Sequence, residues 1–376
     1  MYIFIYSHSI WAPSGYGQQT AQLATHLVNA GHKVSIVAID YHSTPLNFND
    51  IKEFPTRSGV INSYQDLYFW VGEEKPDIVI QLFDAWVIGK PWIDKNSVPI
   101  YTFNPVDCSD LPRNFIASCK NSSLHIAMSP NTHKLFKTHS LKPNTYIPHS
   151  IDTTFFKPMN KNKAKQRFNF PAGSFIFGIV GTNLTARKNL PGQLLAFSHF
   201  LQITKAKNCF LYLHTAIYEE IASSFDIQYL IETLNIKDNI IIPRPQQYLL
   251  NNIANNKMLD IYNSIDVLMN CSYGEGFGIP IIEAQSCGKP VIATNCSAMP
   301  YTCGKGGILI KKIQPYCDSG HMGWWGIPDV GEIVEAMIML YEDKELRKDL
   351  SHKAIENAKK YDWKIWIPKW LKILEA

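Results

Sequence analysis

Two periods of apolar and polar residues alternate along the chain. Short apolar runs of strand length, Met1–Tyr6, Val34–Ile39, Asp77–Gln81, Val98–Asn104 and Leu124–Ser129, are separated by longer stretches, of which Gln18–Asn29 has the clearest helical character. The pattern restarts after residue 170 with Phe175–Val180, Leu211–Thr215, Ile240–Pro243, Ile265–Met269 and Pro290–Ala293. Helices are expected from beyond Asn189 to about Leu201, over Lys257–Ser264 and Pro280–Cys287, and over Pro328–Tyr341 and Lys344–Lys360. Strands alternating with helices predict an α/β protein with doubly wound parallel sheets. Between the two series, Lys157–Phe170 is basic and asparagine-rich with little apolar periodicity, and reads as a linker with a short charged helix. Two domains are therefore expected, over 1–160 and 170–360.

Composition agrees with this division. A chain of 376 residues exceeds what one hydrophobic core usually organises. With 46% hydrophobic and 18% charged residues it reads as a soluble globular protein, which excludes a disordered chain. A formal charge of +4 is too small to demand a nucleic-acid or membrane partner. No apolar run approaches the ~20 residues of a membrane span. The start, Met1-Tyr2-Ile3-Phe4-Ile5-Tyr6, lacks a basic leader and reads as a first strand. Eight cysteines are scattered with no C-x-x-C pair, and Cys296, Cys303, Cys317 and His321 match no zinc spacing, so reduced thiols in a cytoplasmic protein are expected.

Candidate chemistry concentrates in residues 272–300. Glu275 and Glu283 stand eight positions apart, and between them Gly276-Phe277-Gly278-Ile279-Pro280 forms a turn whose glycines expose backbone amides. Pro280 suits the first turn of the helix that follows and Gly288 suits its end. A strand, a glycine loop and a helix in this order aim free N–H groups and a positive helix end at the loop, which favours an anion such as a phosphate. Glu275 can accept hydrogen bonds from hydroxyls beside that helix end. Glu283, about one turn further in, can face the same cleft, where a carboxylate on a vicinal diol makes two charge-assisted hydrogen bonds. A nucleotide sugar meets both needs. A parallel-sheet loop with surface glutamates is the plainer alternative.

The run Glu275-Gly276-Phe277-Gly278-Ile279-Pro280-Ile281-Ile282-Glu283-Ala284, followed by Gly288-Lys289-Pro290-Val291-Ile292-Ala293-Thr294, resembles the E-x7-E signature of retaining GT-B glycosyltransferases, nearest to glycosyltransferase family 4. The resemblance implies two Rossmann-like domains facing a central cleft, with the donor held mainly by the second. It implies transfer of a sugar from a UDP-glucose-like or GDP-mannose-like donor to an acceptor hydroxyl, with retention at the anomeric carbon and without a metal or further cofactor. Glu275 and the loop amides of Gly276, Phe277, Gly278 and Ile279 would hold the donor sugar, and Glu283 the ribose.

Other segments extend the resemblance. Gly181-Thr182-Asn183 leads to Arg187-Lys188, where a basic pair on a strand-to-helix loop suits a diphosphate: arginine forks onto phosphate oxygens and lysine adds a point charge. The family's usual arginine after the glycine is replaced by Thr182. Arg244, within Pro243-Arg244-Pro245, falls where the family reads the nucleotide base. Ser14-Gly15-Tyr16-Gly17 resembles the family's opening glycine loop, near donor phosphates and acceptor, and serves equally as a tight turn. The N-domain histidine expected after Val98–Asn104 is absent. Asp107 stands nearby, either as an acceptor-orienting or proton-handling carboxylate or as a helix cap. The tail, 361–376, spaces Trp363, Trp366 and Trp370 helically with lysines between. It resembles the family's closing helix that packs back on the first domain, although the same composition suits peripheral membrane contact at an inner membrane face. A GT-B protein that binds nucleotide sugars without transferring them is the rival reading. A glycan, a lipid, a small molecule or a modified base is equally open as acceptor.

Overall fold

The computed structural model describes residues 1–41, 46–48, 50–57, 59–85, 98–120, 122–215, 225–243, 255–320 and 322–375. They form two compact units, one of Met1–Ser150 with Asp318–Gly323 and Trp363–Ala376, the other of Ile151–Cys317 with Trp324–Asp362.

In chain order the first unit contains β1 (Tyr2–Ser7), α1 (Gly15–Asn29), β2 (Lys33–Tyr41), β3 (Leu46–Phe48), β4 (Ile51–Thr56), α2 (Gly59–Glu74), β5 (Ile78–Gln81), β6 (Ile100–Thr102), α3 (Arg113–Cys119), β7 (Leu124–Ala127), α4 (Pro130–Thr138) and β8 (Asn144–Tyr146). Its sheet runs β3-β4-β2-β1-β5-β6-β7-β8, parallel except where β3 meets β4. The central strand is covered on both faces: Ile3, Phe4, Ile5 and Tyr6 have no exposed surface, which is why the run reads as continuously apolar. Helix α1 starts at Gly15, three residues before the expected Gln18, because the Ser14 hydroxyl accepts the Gly17 N–H at 3.1 Å and caps the first turn. Strand β4 contains Lys52, Glu53 and Pro55, so its sequence hides a strand that only pairing with β2 creates.

The second unit contains α5 (Lys161–Arg167), β9 (Phe175–Val180), α6 (Leu190–Thr204), β10 (Cys209–His214), α7 (Ile227–Thr233), β11 (Ile240–Ile241), α8 (Asn255–Ser264), β12 (Val267–Asn270), α9 (Ile279–Ser286), β13 (Val291–Thr294), α10 (Met299–Cys303), β14 (Gly307–Ile310), a pair β15 (Ile313–Asp318) and β16 (Gly323–Pro328), α11 (Val330–Glu342) and α12 (Lys344–Ala358). The parallel order is β11-β10-β9-β12-β13-β14, with β15 and β16 forming a separate two-stranded sheet. Phe177 on the sheet and Phe197 and Phe200 on α6 are fully buried in one core with Ile333 and Met337 of α11. Each such side chain contributes about 1.5–3 kcal/mol of burial.

The closing helix α13 (Trp363–Leu374) belongs to the first unit. Trp370 is fully buried against Phe103, ring centroids 5.2 Å apart and edge to face. Tyr101 donates its hydroxyl to the Ile373 carbonyl at 3.1 Å, and Lys369 Nζ reaches the Tyr146 carbonyl at 2.7 Å. The tryptophan stripe is thus a packing face. No described helix is long and apolar enough to cross a membrane.

Both sheets reverse their strand order at one point. In the first unit β1 is followed by β2 and β4 on one side and by β5 onward on the other; in the second, β9 is followed by β10 and β11 on one side and by β12 onward on the other. The carboxyl ends of β1 and β5, and of β9 and β12, flank these switch points, where open α/β sheets bind ligands.

Candidate active site

The switch point of the second unit brings together the loops after β9 and β12. Behind β9, Ala186–Lys188 forms one 3₁₀ turn and Asn189 adopts a left-handed backbone with φ of 51°. Two side chains bridge this turn to Cys271 at the end of β12: the Asn189 amide donates to the Cys271 carbonyl at 2.9 Å, and Gln193 donates its amide to the Lys188 carbonyl at 2.9 Å while its side-chain oxygen accepts the Cys271 N–H at 3.2 Å. The Tyr273 N–H then donates to the Arg187 carbonyl at 2.7 Å. These bonds fix the two loops against each other at main-chain level.

Within this frame Arg187, Lys188 and Glu275 meet. Arg187 Nη1 lies 2.7 Å from one Glu275 oxygen and 2.8 Å from the Gly274 carbonyl. Lys188 Nζ lies 2.7 Å from the other oxygen, which also accepts the Ser272 hydroxyl at 2.7 Å. Glu275 is only 5% exposed. Burial alone would push its carboxyl up, but Lys188 and Arg187, with the Ser272 hydroxyl, hold it at about 2. The main chain of Glu275 is clamped as well, since its N–H donates to Ser297 Oγ at 2.8 Å and its carbonyl accepts that hydroxyl at 3.0 Å. Two cations share one carboxylate here, beside a glycine loop. Ser272 and Ser297 lie inside the stretch 272–300, but no spacing marks them as partners of a glutamate. Their role follows from the fold.

The loop itself continues into α9, an eight-residue helix whose N-cap Gly278 has φ of 90°, a left-handed conformation that a side chain would strain. Gly276 is buried, and Phe277 packs edge to face on Tyr361 at 5.5 Å. Ile279 opens the helix and Pro280 follows in its first turn. Glu283 lies one turn further and is 4% exposed; the buried Tyr262 hydroxyl of α8 donates to it at 2.7 Å. Burial, only partly offset by that hydrogen bond, raises the Glu283 carboxyl to about 7. The two glutamates of the signature thus have opposite electrostatics: Glu275 is held ionised by cations, and Glu283 is poised near neutrality.

The remaining candidates are distributed as follows. Thr182 is exposed on the β9 loop, whereas Asn183 is fully buried and its amide exchanges hydrogen bonds with the main chain of Phe225 at 2.7 and 3.0 Å. That engagement makes Asn183 a brace for the segment before α7. Arg244 lies outside the described residues. Gly15 and Gly17 open α1 in the first unit, and a Cβ on Gly17 would overlap the Ala12 carbonyl oxygen, so the glycine lets the loop 9–12 lie on the helix. Asp107 is half-buried and is not the cap of α3, whose N-cap is Pro112. It lines a cavity of about 30 Å³ with Asp84, Val106 and Asn114, and accepts from the Cys108 thiol at 3.4 Å.

The same residues are framed by known proteins. A family model described as glycosyl transferases group 1 matches residues 160–360, the segment that contains this site. The D-inositol 3-phosphate glycosyltransferase of Arthrobacter sp. (strain FB24) is 26% identical over 220 residues, 57% of this chain and 46% of that protein. The chain spans less than half the length of such relatives. An uncharacterized glycosyltransferase of Sulfolobus islandicus rod-shaped virus 1 is 25% identical over 354 residues, covering 88% of this chain and 97% of that one. Among solved structures, sucrose-phosphate synthase from Thermosynechococcus elongatus superposes with a TM-score of 0.80 at 15% identity, covering 100% of this chain and 98% of that one. Anabaena Alr3699/HepE in complex with UDP-glucose gives 0.70 at 14% identity, covering 100% and 99%. At these identities the structures share the GT-B fold. The family match covers more than half of the chain, which belongs to the glycosyl transferases group 1 family.

Proposed function

We propose that the chain transfers a hexosyl group from a nucleoside-diphosphate sugar to an acceptor hydroxyl, with retention of anomeric configuration, as in glycosyltransferase family 4. One observation carries this reading: Arg187, Lys188 and Glu275 converge at the switch point of the second sheet, beside a glycine loop. A diphosphate entering there meets two cations fixed by their neighbours. Those cations would stabilise the charge that grows on the departing diphosphate, an effect worth about 3 kcal/mol per well-placed group. Glu275 would turn to the hydroxyls of the sugar. Glu283 would bind the ribose diol, ionising as it does so. Positive charge supplied by side chains supports a reaction without a catalytic metal. That the structural relative from Anabaena was solved with UDP-glucose makes a UDP-sugar the first donor to test.

The test is release of nucleoside diphosphate from UDP-glucose and GDP-mannose, with and without EDTA, and with water or simple sugars as acceptor. Release that persists in EDTA and falls about a hundredfold in Lys188→Ala is expected. Tight donor binding with no release under any condition would favour a nucleotide-sugar binding protein. Activity that vanishes with chelator and returns with one specific ion would overturn the metal-independent part.

A further inference from the structure

The first unit has a switch point of its own, between β1 and β5, and what stands there is a fixed imidazole. His8 follows β1 directly. Its Nδ1 lies 2.6 Å from Asp40 Oδ1 at the end of β2, and the second Asp40 oxygen accepts the Ser9 N–H at 2.5 Å. The ring is stacked on Tyr16, centroids 5.6 Å apart and planes 7° from parallel, and is braced by Phe83 at 5.1 Å. Tyr16 in turn donates its hydroxyl to Asp84 Oδ1 at 3.1 Å, which spans the switch point from α1 to the residues after β5. Asp84 also lines the cavity of about 30 Å³ that Asp107 borders, room for a group the size of one hydroxyl.

This arrangement exceeds what a surface ion pair needs. An exposed pair contributes little and is not otherwise restrained, whereas this ring is held by a carboxylate, a stacked phenol and a phenyl ring. The carboxylate only accepts, so Nδ1 carries a proton, and with the ring neutral Nε2 would be its acceptor. Among the described residues no hydrogen bond occupies Nε2, and the side chain is 24% exposed. Burial raises the Asp40 carboxyl, while His8 and the Ser9 N–H more than offset it, so Asp40 stays ionised beside the ring.

We propose that His8 receives an acceptor hydroxyl through Nε2, and that the acceptor presents neutral sugar or polyol hydroxyls to this edge instead of a phosphate. An anion placed on His8 lies beside the Asp40 carboxylate, 2.6 Å from Nδ1, and like-charge repulsion disfavours a phosphate there. A hydroxyl donates to Nε2 and meets no such repulsion. Calling the ligand the acceptor rests on the glycosyl-transfer reading; the site itself does not.

The full chain, labelled with ¹⁵N at histidine, tests this by titration with glucose and myo-inositol, and with glucose 6-phosphate as the charged counterpart. The His8 resonances, identified by their loss in His8→Gln, are expected to show Nδ1 protonated and to shift saturably with the neutral sugars. Asp40→Asn should weaken that titration about tenfold, the loss of a hydrogen bond to a charged group, while affinity for UDP measured by calorimetry stays unchanged. Resonances unmoved by either neutral compound up to high millimolar concentration would overturn the inference, as would tighter binding of the phosphorylated sugar. Failure of UDP to bind the wild-type chain would instead strike the glycosyl-transfer reading and leave a sugar site at His8 standing.

Discussion

Lys188 Nζ rests 2.7 Å from Glu275 Oε1, so the lysine expected to meet a diphosphate is already paired with a carboxylate of its own chain. In the proposed reaction a donor would exchange partners with Glu275: the phosphates would take the cations, and the carboxylate would be released toward the sugar. Opposite effects on two ligands follow. Glu275→Gln should bind UDP alone several-fold more tightly, because the competing anion is gone, yet turn over the intact donor at least a hundredfold more slowly. Calorimetry with UDP and steady-state kinetics with UDP-glucose read the two arms. Weaker UDP binding in the variant would show that Glu275 only organises the cations.

The same pair makes the second unit sensitive to acid. The Glu275 carboxyl is ordinarily near 4.5 and is held at about 2 when folded. Its folded value is depressed, so its contribution is fully present above the ordinary value and disappears as pH falls from 4.5 through about 2. The shift corresponds to roughly 3 kcal/mol at neutral pH. Urea unfolding followed across that window should lose stability by this order in the wild type and vary much less in Glu275→Gln. Parallel curves for both would remove the linkage.

Glu283 has the opposite sign. Its folded value of about 7 is raised, so the stability it contributes is complete below 4.5 and is lost as pH rises through about 7. If ribose binding needs the ionised form, UDP affinity should rise across neutrality in the wild type by more than in Glu283→Gln. Tyr262→Phe removes the hydrogen bond that lowers Glu283, and should move the wild-type midpoint to higher pH. Identical pH profiles for wild type and Glu283→Gln would take Glu283 out of the nucleotide site.

Trp370 tests the assignment of the closing helix to the first unit. The residue is fully buried against Phe103, and Trp370→Ala should cost about 3–5 kcal/mol, the range for losing a buried aromatic. Unfolding in denaturant, followed together with UDP titration, should show the first unit destabilised and UDP still bound. A loss below about 1 kcal/mol would mean that the helix is not anchored there.

What could be read in advance followed from local chemistry. The apolar runs at β1 and β9 announce buried strands because both of their faces are covered, and Pro280 and Gly288 mark the ends of α9, Pro280 in its first turn and Gly288 with a left-handed backbone, φ of 73°. Glu275, Arg187 and Lys188 stand out by residue type, and the fold sets each cation 2.7 Å from the Glu275 carboxylate. Other features depend on distant partners and leave no local mark. The Asn183 side chain exchanges hydrogen bonds with the main chain of Phe225, 42 residues on. Tyr262 gains its role only by packing against Glu283. His8 carries no local mark, since its pairing with Asp40 exists only once β1 and β2 lie side by side. Strand β4, interrupted by Pro55, was missed for the same reason.

In the proposed function Arg187 and Lys188 form the seat of a nucleoside diphosphate. Calorimetric titration of the full chain with UDP and GDP, set beside the same titrations of Lys188→Ala, tests that role. One of the two nucleotides should bind the wild type at a single site and bind the variant about a hundredfold more weakly, the loss of a charge-assisted hydrogen bond to phosphate. Equal affinity in both proteins, or no binding of either nucleotide to the wild type, would contradict it.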